Sequence, residues 1–256
     1  MGGVSNSYPV SLGRAATAEL RAAAAGFAVP KRIQGNILAA RERALLIWLC
    51  GKAPAWVTPD RLTAVGFVGA AVAALGYAAS GLSPKCLFLA SLGFVINWFG
   101  DSLDGSLARH RKIERPRYGF FLDHSVDAIN NLFFLFGLGL SPYVNMGSAL
   151  FLLCGYYLLS IHVFLRAHVD GELPLAYGFI GPTELRLTAI AFNCAIYFIG
   201  PLHLTVAGDK VSAYSLFVAF VGAALIAVFV VDLYADARRL KRQDKALRPQ
   251  RASTRQ

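Results

Sequence analysis

The chain has 256 residues, of which 56% are hydrophobic and only 16% charged, a balance that excludes an ordinary water-soluble globule. Its formal net charge of +10 would suit a nucleic-acid partner, but the basic residues lie between long apolar runs and at the two ends of the chain. That distribution points to a membrane and argues against nucleic acid as a partner.

Residues 1–30 are small and polar and are expected to lack fixed structure. They contain no compact apolar stretch with a cleavage site, so no secretory signal is read there. Asn6 stands where a myristoylation motif requires Ser or Thr. Residues 31–54 interleave Lys31, Arg32, Arg41, Arg43 and Lys52 with Ile33, Ile37, Leu38, Leu45, Leu46, Ile47 and Trp48, the pattern of an amphipathic helix on the cytoplasmic membrane surface. Pro54, Pro59 and Asp60 end it, with Asp60 as the expected N-cap of the next helix.

Apolar runs of bilayer-spanning length follow near 62–80, 84–101, 119–140, 145–166, 186–204 and 211–233. The expected fold is therefore all-α: a polytopic membrane protein of six transmembrane helices, with one membrane domain over 31–235 and a basic cytoplasmic tail over 236–256. If both termini are cytoplasmic, only Lys85 and Lys210 of the 25 Lys and Arg residues face the outer side. The cysteines at 50, 86, 154 and 194 show no metal or redox spacing and read as unpaired. No internal repeat is evident.

The second and third runs enclose GDSLDGSLARHRKIERPRYGFFLDHSVDAINN. Asp101, Asp104, Asp123 and Asp127 fall at or inside the ends of apolar helices, where each ionised carboxylate would cost about 2.5–3.5 kcal/mol on insertion scales. At 100° per residue Asp101, Asp104, Gly105 and Ala108 share one helix face, and Gly119, Asp123 and Asp127 share another. The short connection containing Pro116 makes the two helices antiparallel neighbours, so the carboxylates should meet near the inner membrane edge. A cation resolves that much negative charge, and hard oxygen ligands select Mg²⁺ or Mn²⁺. Gly105, Ala108 and Gly119 leave room beside the site for a bulky ligand, although close helix packing would also use such small residues. Arg109, one turn from the carboxylates, suits phosphate oxygens.

The pattern D-x-x-D-G-x-x-A-R, nine residues, then G-x-x-x-D-x-x-x-D, filled by Asp101, Asp104, Gly105, Ala108, Arg109, Gly119, Asp123 and Asp127, resembles the signature of the CDP-alcohol phosphotransferase family of phospholipid-synthesising enzymes. The resemblance implies two metal ions held by the four aspartates, with the nucleotide beside Asp104, Gly105, Ala108, Arg109 and Gly119. It also implies Asp127 as general base, a CDP-linked donor with CMP as the leaving group, a lipid substrate, a homodimer and an active site at the cytoplasmic edge of the membrane.

Within that family, Asp123-His124-Ser125-Val126-Asp127 is similar to the D-H-G-C-D of choline and ethanolamine phosphotransferases, and Gly181-Pro182-Thr183-Glu184 to a G-P-T-E stretch of their plant relatives. The likeness implies a CDP-aminoalcohol donor with diacylglycerol, and a share for His124 and Glu184 in proton removal. Helix capping is the competing role for Glu184. The alternative is CDP-diacylglycerol with a small polar alcohol such as inositol phosphate, glycerol phosphate or serine; Arg166 and Arg186 would then bind a phosphorylated acceptor, unless they only anchor helix ends. Intramembrane aspartates also mark cation transporters, but the ionisable cluster here lies at one edge and the last two runs are almost wholly apolar.

Overall fold

The computed structural model describes residues 39–170, 181–206 and 208–253. The expectations for residues 1–30 and for the first turns of the surface helix, 31–38, lie outside these residues.

Seven helices occur among the described residues: α1 (Ala39–Lys52), α2 (Pro59–Ala79), α3 (Cys86–His110), α4 (Pro116–Leu140), α5 (Met146–Asp170), α6 (Pro182–Ile199) and α7 (Ala213–Ser253). Each predicted apolar run is occupied by one of α2 to α7. Helices α2, α3, α5 and residues 213–245 of α7 are long and apolar enough to cross a membrane. Helices α4 and α6 fall short of that standard because α4 carries Arg117, Asp123, His124 and Asp127, and the 18 residues of α6 include Glu184, Arg186 and Asn193. The polar side chains that lower their hydropathy include those of the predicted site.

The fold is all-helical as expected, with one small addition. Strands β1 (His203–Val206) and β2 (Asp209–Ser212) form an antiparallel ribbon, with His203 opposite Ser212 and Val206 opposite Asp209. Gly200, at φ 78°, and Pro201 stop α6. Gly208, at φ 96°, then serves the turn between two short segments that contain β-branched Thr205, Val206 and Val211. The apolar runs 186–204 and 211–233 each continue into this ribbon, which is why hydropathy alone joins it to the helices.

The N-terminus of α2 is also different from expectation. Thr58, in an extended conformation, accepts the N–H of Arg61 at 3.4 Å and is the N-cap. Pro59 follows at the first helical position, and Asp60 lies in the first turn, where its carboxylate pairs with Arg115.

Among the described residues, helices α2 and α3 make the closest helix–helix contact. Their backbones approach through Gly66, Gly69 and Gly76 on one side and Gly93 and Gly100 on the other; a Cβ added at Gly93 would lie 2.4 Å from the nitrogen of Ala73, and one at Gly69 2.4 Å from that of Asn97. Helix α2 packs on α4 as well, while α3 and α4 are not close-packed along their lengths. They are therefore not the direct neighbours expected from their short connection. They touch where Phe94 stacks on Phe134 with ring centroids 4.4 Å apart, and α2 bridges the two. Helix α6 packs on α3, α5 on α4, and α7 on α5. Within the apolar interior, Tyr77 donates to Asn193 at 2.8 Å and Asn193 to Ser91 at 3.1 Å, linking α2, α6 and α3 by side-chain hydrogen bonds.

Helix α1 joins this frame through Leu46 and Cys50, which pack with Leu62, Leu103 and Leu107, while Leu45, Ile47 and Trp48 face outward. Burial pushes the Cys50 thiol up, so it remains protonated. All four cysteines are free; Cys50 is buried and Cys154 exposed. Beyond α1, the chain turn is held by Arg111, whose guanidinium donates to the carbonyls of Ala53, Pro54 and Val57.

The glycine contact makes a stability prediction. Gly93→Ala forces a methyl group into the backbone of α2, and overpacking of this kind costs about 1–3 kcal/mol. The detergent-solubilised variant should melt below the wild type. Gly51→Ala, where a Cβ meets nothing within 4 Å, should melt no lower. A Gly93→Ala protein with the wild-type melting temperature would contradict the close contact.

Candidate active site

Helices α3 and α4 diverge around a cleft of about 580 Å³, walled also by α1, the start of α2 and the start of α6. Asp101 from α3 and Asp123 and Asp127 from α4 project into it. One carboxylate oxygen from each lies within 4.8 Å of the other two, and all three residues are half-buried. The four-residue spacing of Asp123 and Asp127 puts both on one face of α4, as expected.

Asp104 lines the same cleft but is not part of this trio. Its Oδ2 accepts the Thr63 hydroxyl at 2.6 Å, and its Oδ1 accepts the N–H of Gly105. The expected set of four carboxylates is thus a set of three plus one that is tied to α2. Thr63 was not singled out in the sequence, although it lies one turn from the Thr58-Pro59 cap on the face that α2 turns to the cleft.

The small residues divide by location. Gly105, Ala108 and Gly119 line the cleft, and a Cβ at Gly119 would meet nothing within 4 Å, whereas one at Gly105 would meet the Arg109 guanidinium at 3.3 Å. The glycines that close the α2–α3 contact are different ones. Arg109 also lines the cleft, donates to Ser106 at 3.2 Å, and pairs with no carboxylate among the described residues. Gly105, Ala108, Arg109 and Gly119 thus form one wall of the cleft, with open space at Gly119 and the Arg109 guanidinium lying over Gly105.

The two arginines considered for an acceptor have different surroundings. Arg186, on the first turns of α6, lines the cleft; its Nη2 donates to Asp101 at 2.6 Å and its Nε to Asn97 Oδ1 at 2.8 Å. Its Nη1 is buried without a hydrogen-bond partner. Arg166 lies outside the cleft, where its Nε is 3.2 Å from Asp236 on α7. It belongs to a cluster with Asp170, Asp236, Arg239 and the buried His162, whose Nε2 is 3.1 Å from Asp236. That cluster fastens α5 to α7.

His124 lines the cleft with its ring stacked on Phe120 at 4.3 Å and its Nδ1 3.4 Å from Asp123 Oδ2. The same ring lies 5.2 Å from that of Phe164 on α5, in a tilted arrangement. Glu184 reaches back to accept the N–H of Gly181 at 3.0 Å, which caps α6; it is not among the residues that line the cleft.

Sequence reading missed Glu42. This residue of α1 lines the cleft, and its Oε1 accepts from Trp98 Nε1 at 2.9 Å, Ser102 Oγ at 3.3 Å and Thr183 Oγ1 at 2.7 Å. The available signal was an acidic residue between Arg41 and Arg43 in an otherwise basic helix. In the α3–α4 connection, Arg115 donates to the Asp60 carboxylate, a bond that holds this guanidinium above its ordinary value, and Arg115 also lies 4.4 Å over the Tyr118 ring.

The donor set fits a hard divalent cation. It offers carboxylate oxygens converging from two helices, a cleft open to water and phosphate, and no competing thiolate or imidazole among the three converging ligands.

The comparison with known proteins agrees with this geometry. The profile of the CDP-alcohol phosphatidyltransferase family matches residues 56–231. The chain is 29% identical over 167 residues to cholinephosphotransferase 1 of Danio rerio, an alignment covering 60% of this chain and 41% of that protein. It is 31% identical over 122 residues to archaetidylinositol phosphate synthase of Pyrococcus horikoshii, covering 48% of this chain and 61% of that protein. The chain thus spans less than two thirds of the length of either relative. The family match takes in the helices that carry the four aspartates, α3 and α4, and the chain belongs to the CDP-alcohol phosphatidyltransferase family.

Proposed function

We propose that this protein is a metal-dependent membrane transferase that moves a substituted phosphate from a CDP-linked donor to an alcohol and releases CMP. The observation that carries the reading is the convergence of Asp101, Asp123 and Asp127 in a cleft whose adjoining wall is Gly105, Ala108, Arg109 and Gly119. Asp101, Asp123 and Asp127, with Asp104 beside them, would hold one or two Mg²⁺ or Mn²⁺ ions, which when bound supply charge neutralisation of the pyrophosphate and of the departing CMP.

The chain's own groups perform the remaining tasks. Arg109 binds phosphate oxygens, and Gly105 and Gly119 admit the nucleotide close to the backbone. The acceptor hydroxyl oxygen forms a bond to the distal phosphorus of the donor while the bond from that phosphorus to the bridging oxygen breaks, and CMP leaves with the electron pair. The hydroxyl proton passes to a carboxylate oxygen of Asp127. His124, packed on Phe120, lies against the Asp123 carboxylate, orients it and assists the transfer, while Glu184 supports the start of α6.

The D-H-x-x-D sequence at residues 123–127 and the similarity to a cholinephosphotransferase favour a CDP-aminoalcohol donor with diacylglycerol. The second reading, CDP-diacylglycerol with a phosphorylated polar alcohol, draws on the similarity to an archaetidylinositol phosphate synthase and on the partner-free Nη1 of Arg186. In both, the domain runs over 31–235, α2 to α7 make six spans, α1 lies on the cytoplasmic surface, both termini are cytoplasmic, and two copies form a homodimer.

Replacement of any one of Asp101, Asp123 or Asp127 by Asn should remove at least about 99% of CMP release, as loss of a group needed in the transition state does. EDTA should stop the wild-type enzyme and Mg²⁺ or Mn²⁺ restore it. Asp127→Ala should leave no activity and His124→Ala a measurable remainder; full activity in the Asp127 variant would remove it from the base role.

The donor is settled by offering the purified protein CDP-choline or CDP-ethanolamine with diacylglycerol, and CDP-diacylglycerol with inositol phosphate, glycerol phosphate or serine. A phosphatidylcholine or phosphatidylethanolamine product is expected. A product made only from CDP-diacylglycerol would establish the second reading instead.

The topology has its own test. Cysteines introduced at Lys85 and Lys210 should react with an impermeant maleimide from the outer side, and one introduced at Arg115 only after the membrane is opened. Labelling of Lys85→Cys from the cytoplasm would overturn the orientation.

A further inference from the structure

We infer that Glu42 is a positioning residue, the latch by which the surface helix α1 sets the spacing of α3 and α6 across the aspartate cleft. The inference rests on the reading of that cleft as a metal site, and its main measurement does not require turnover.

Beside the cleft, and apart from the Asn193–Ser91 bond deeper in the bundle, helices α3 and α6 are joined by two rungs. One is Arg186, which donates to Asn97 and Asp101. The other is Glu42, whose single oxygen gathers Trp98 and Ser102 from α3 and Thr183 from α6. The two rungs are in register: Trp98 follows Asn97, Ser102 follows Asp101, and Thr183 lies one turn before Arg186. A shift of Thr183 relative to Ser102 must therefore move Arg186 relative to Asp101, which is one of the three converging carboxylates.

The chemistry of Glu42 supports a role beyond packing. Its three donors are neutral, and no cation pairs with it among the described residues. A carboxylate in a cleft that already holds several others adds repulsion, which opposes a purely structural tether, but it also raises the local attraction for a cation. The far end of α1 is held independently by Leu46, Cys50 and the Arg111 contacts. Loss of the latch should consequently release the Glu42 end of the helix and leave the fold intact.

The test uses full-length protein in detergent with Trp48→Phe and Trp56→Phe, which leaves Trp98 as the single tryptophan. Binding of Mn²⁺ is followed by the electron paramagnetic resonance of the free ion, and the Trp98 environment by its emission. Glu42→Ala should shift the Trp98 emission and weaken Mn²⁺ binding about tenfold, the size typical of lost support behind metal ligands. Glu42→Gln, which keeps an acceptor oxygen, should retain the emission and lose less affinity. Thr183→Val should weaken Mn²⁺ in the same direction and add little to Glu42→Ala, because both changes break one connection.

Wild-type Mn²⁺ affinity in Glu42→Ala, or full additivity with Thr183→Val, would overturn the inference. If Glu42→Ala does not fold, unchanged Mn²⁺ affinity in Thr183→Val overturns it equally. A wild-type protein that binds Mn²⁺ but releases no CMP from any CDP-linked donor would refute the transferase reading while the comparison of Mn²⁺ affinities still decides the role of Glu42.

Discussion

Three carboxylates held within 4.8 Å of one another at the ends of apolar helices repel each other and resist desolvation, and the arrangement of the helices follows from this constraint. If α3 and α4 packed directly together, the carboxylates would have no space between them for a cation or a phosphate. The chain avoids this by using α2 as a shared partner. Its glycines admit α3 to backbone contact, while its other side packs on α4. The two aspartate helices are thus fixed relative to a third element and remain apart where the cleft requires it.

The charged groups around the cleft divide between chemistry and support. Arg111 and Arg115, both in the α3–α4 connection, are engaged with the α1–α2 turn and with Asp60. They hold one rim of the cleft and neutralise little of the aspartate trio. Arg186 is different because it pairs directly with Asp101 while retaining an unpartnered Nη1. A buried guanidinium group with a donor to spare is costly unless another acceptor arrives, and the cleft is where an anionic substrate would supply one.

The aspartate residues were legible in the sequence because their cost and their spacing are both local properties. Four carboxylates in apolar runs need an explanation, and the i, i+4 spacing of Asp123 and Asp127 determines a helix face without reference to any other part of the chain. The positions of α2 to α7 were legible for the same reason. Relationships between distant residues were not. Arg166 and Arg186 look alike in sequence, each close to the end of an apolar helix, yet only Arg186 has the cleft beside it; Arg166 is paired with Asp236, 70 positions later. The pairing of Thr63 with Asp104 and the three donors to Glu42 likewise depend on contacts across 41 to 141 positions. The ribbon at 203–212 was hidden because its residues continue the hydropathy of the neighbouring helices, and the positive φ of Gly200 and Gly208 that shapes it is a property of the folded backbone.

The glycines separate two demands that look identical in sequence. Gly66, Gly69, Gly93 and Gly100 lie where a Cβ would collide with another helix backbone, within 3.3 Å in each case, so their smallness serves the α2–α3 contact. At Gly119 the same addition meets nothing within 4 Å, and no packing argument accounts for a glycine there. Helix propensity argues against it as well, since an interior glycine costs about 1 kcal/mol relative to alanine. Gly119 lies one turn before Asp123, on the cleft side of α4, so the missing side chain enlarges the approach to the aspartates. Gly119 thus contributes little to helix packing, while its position bears directly on access to the carboxylates.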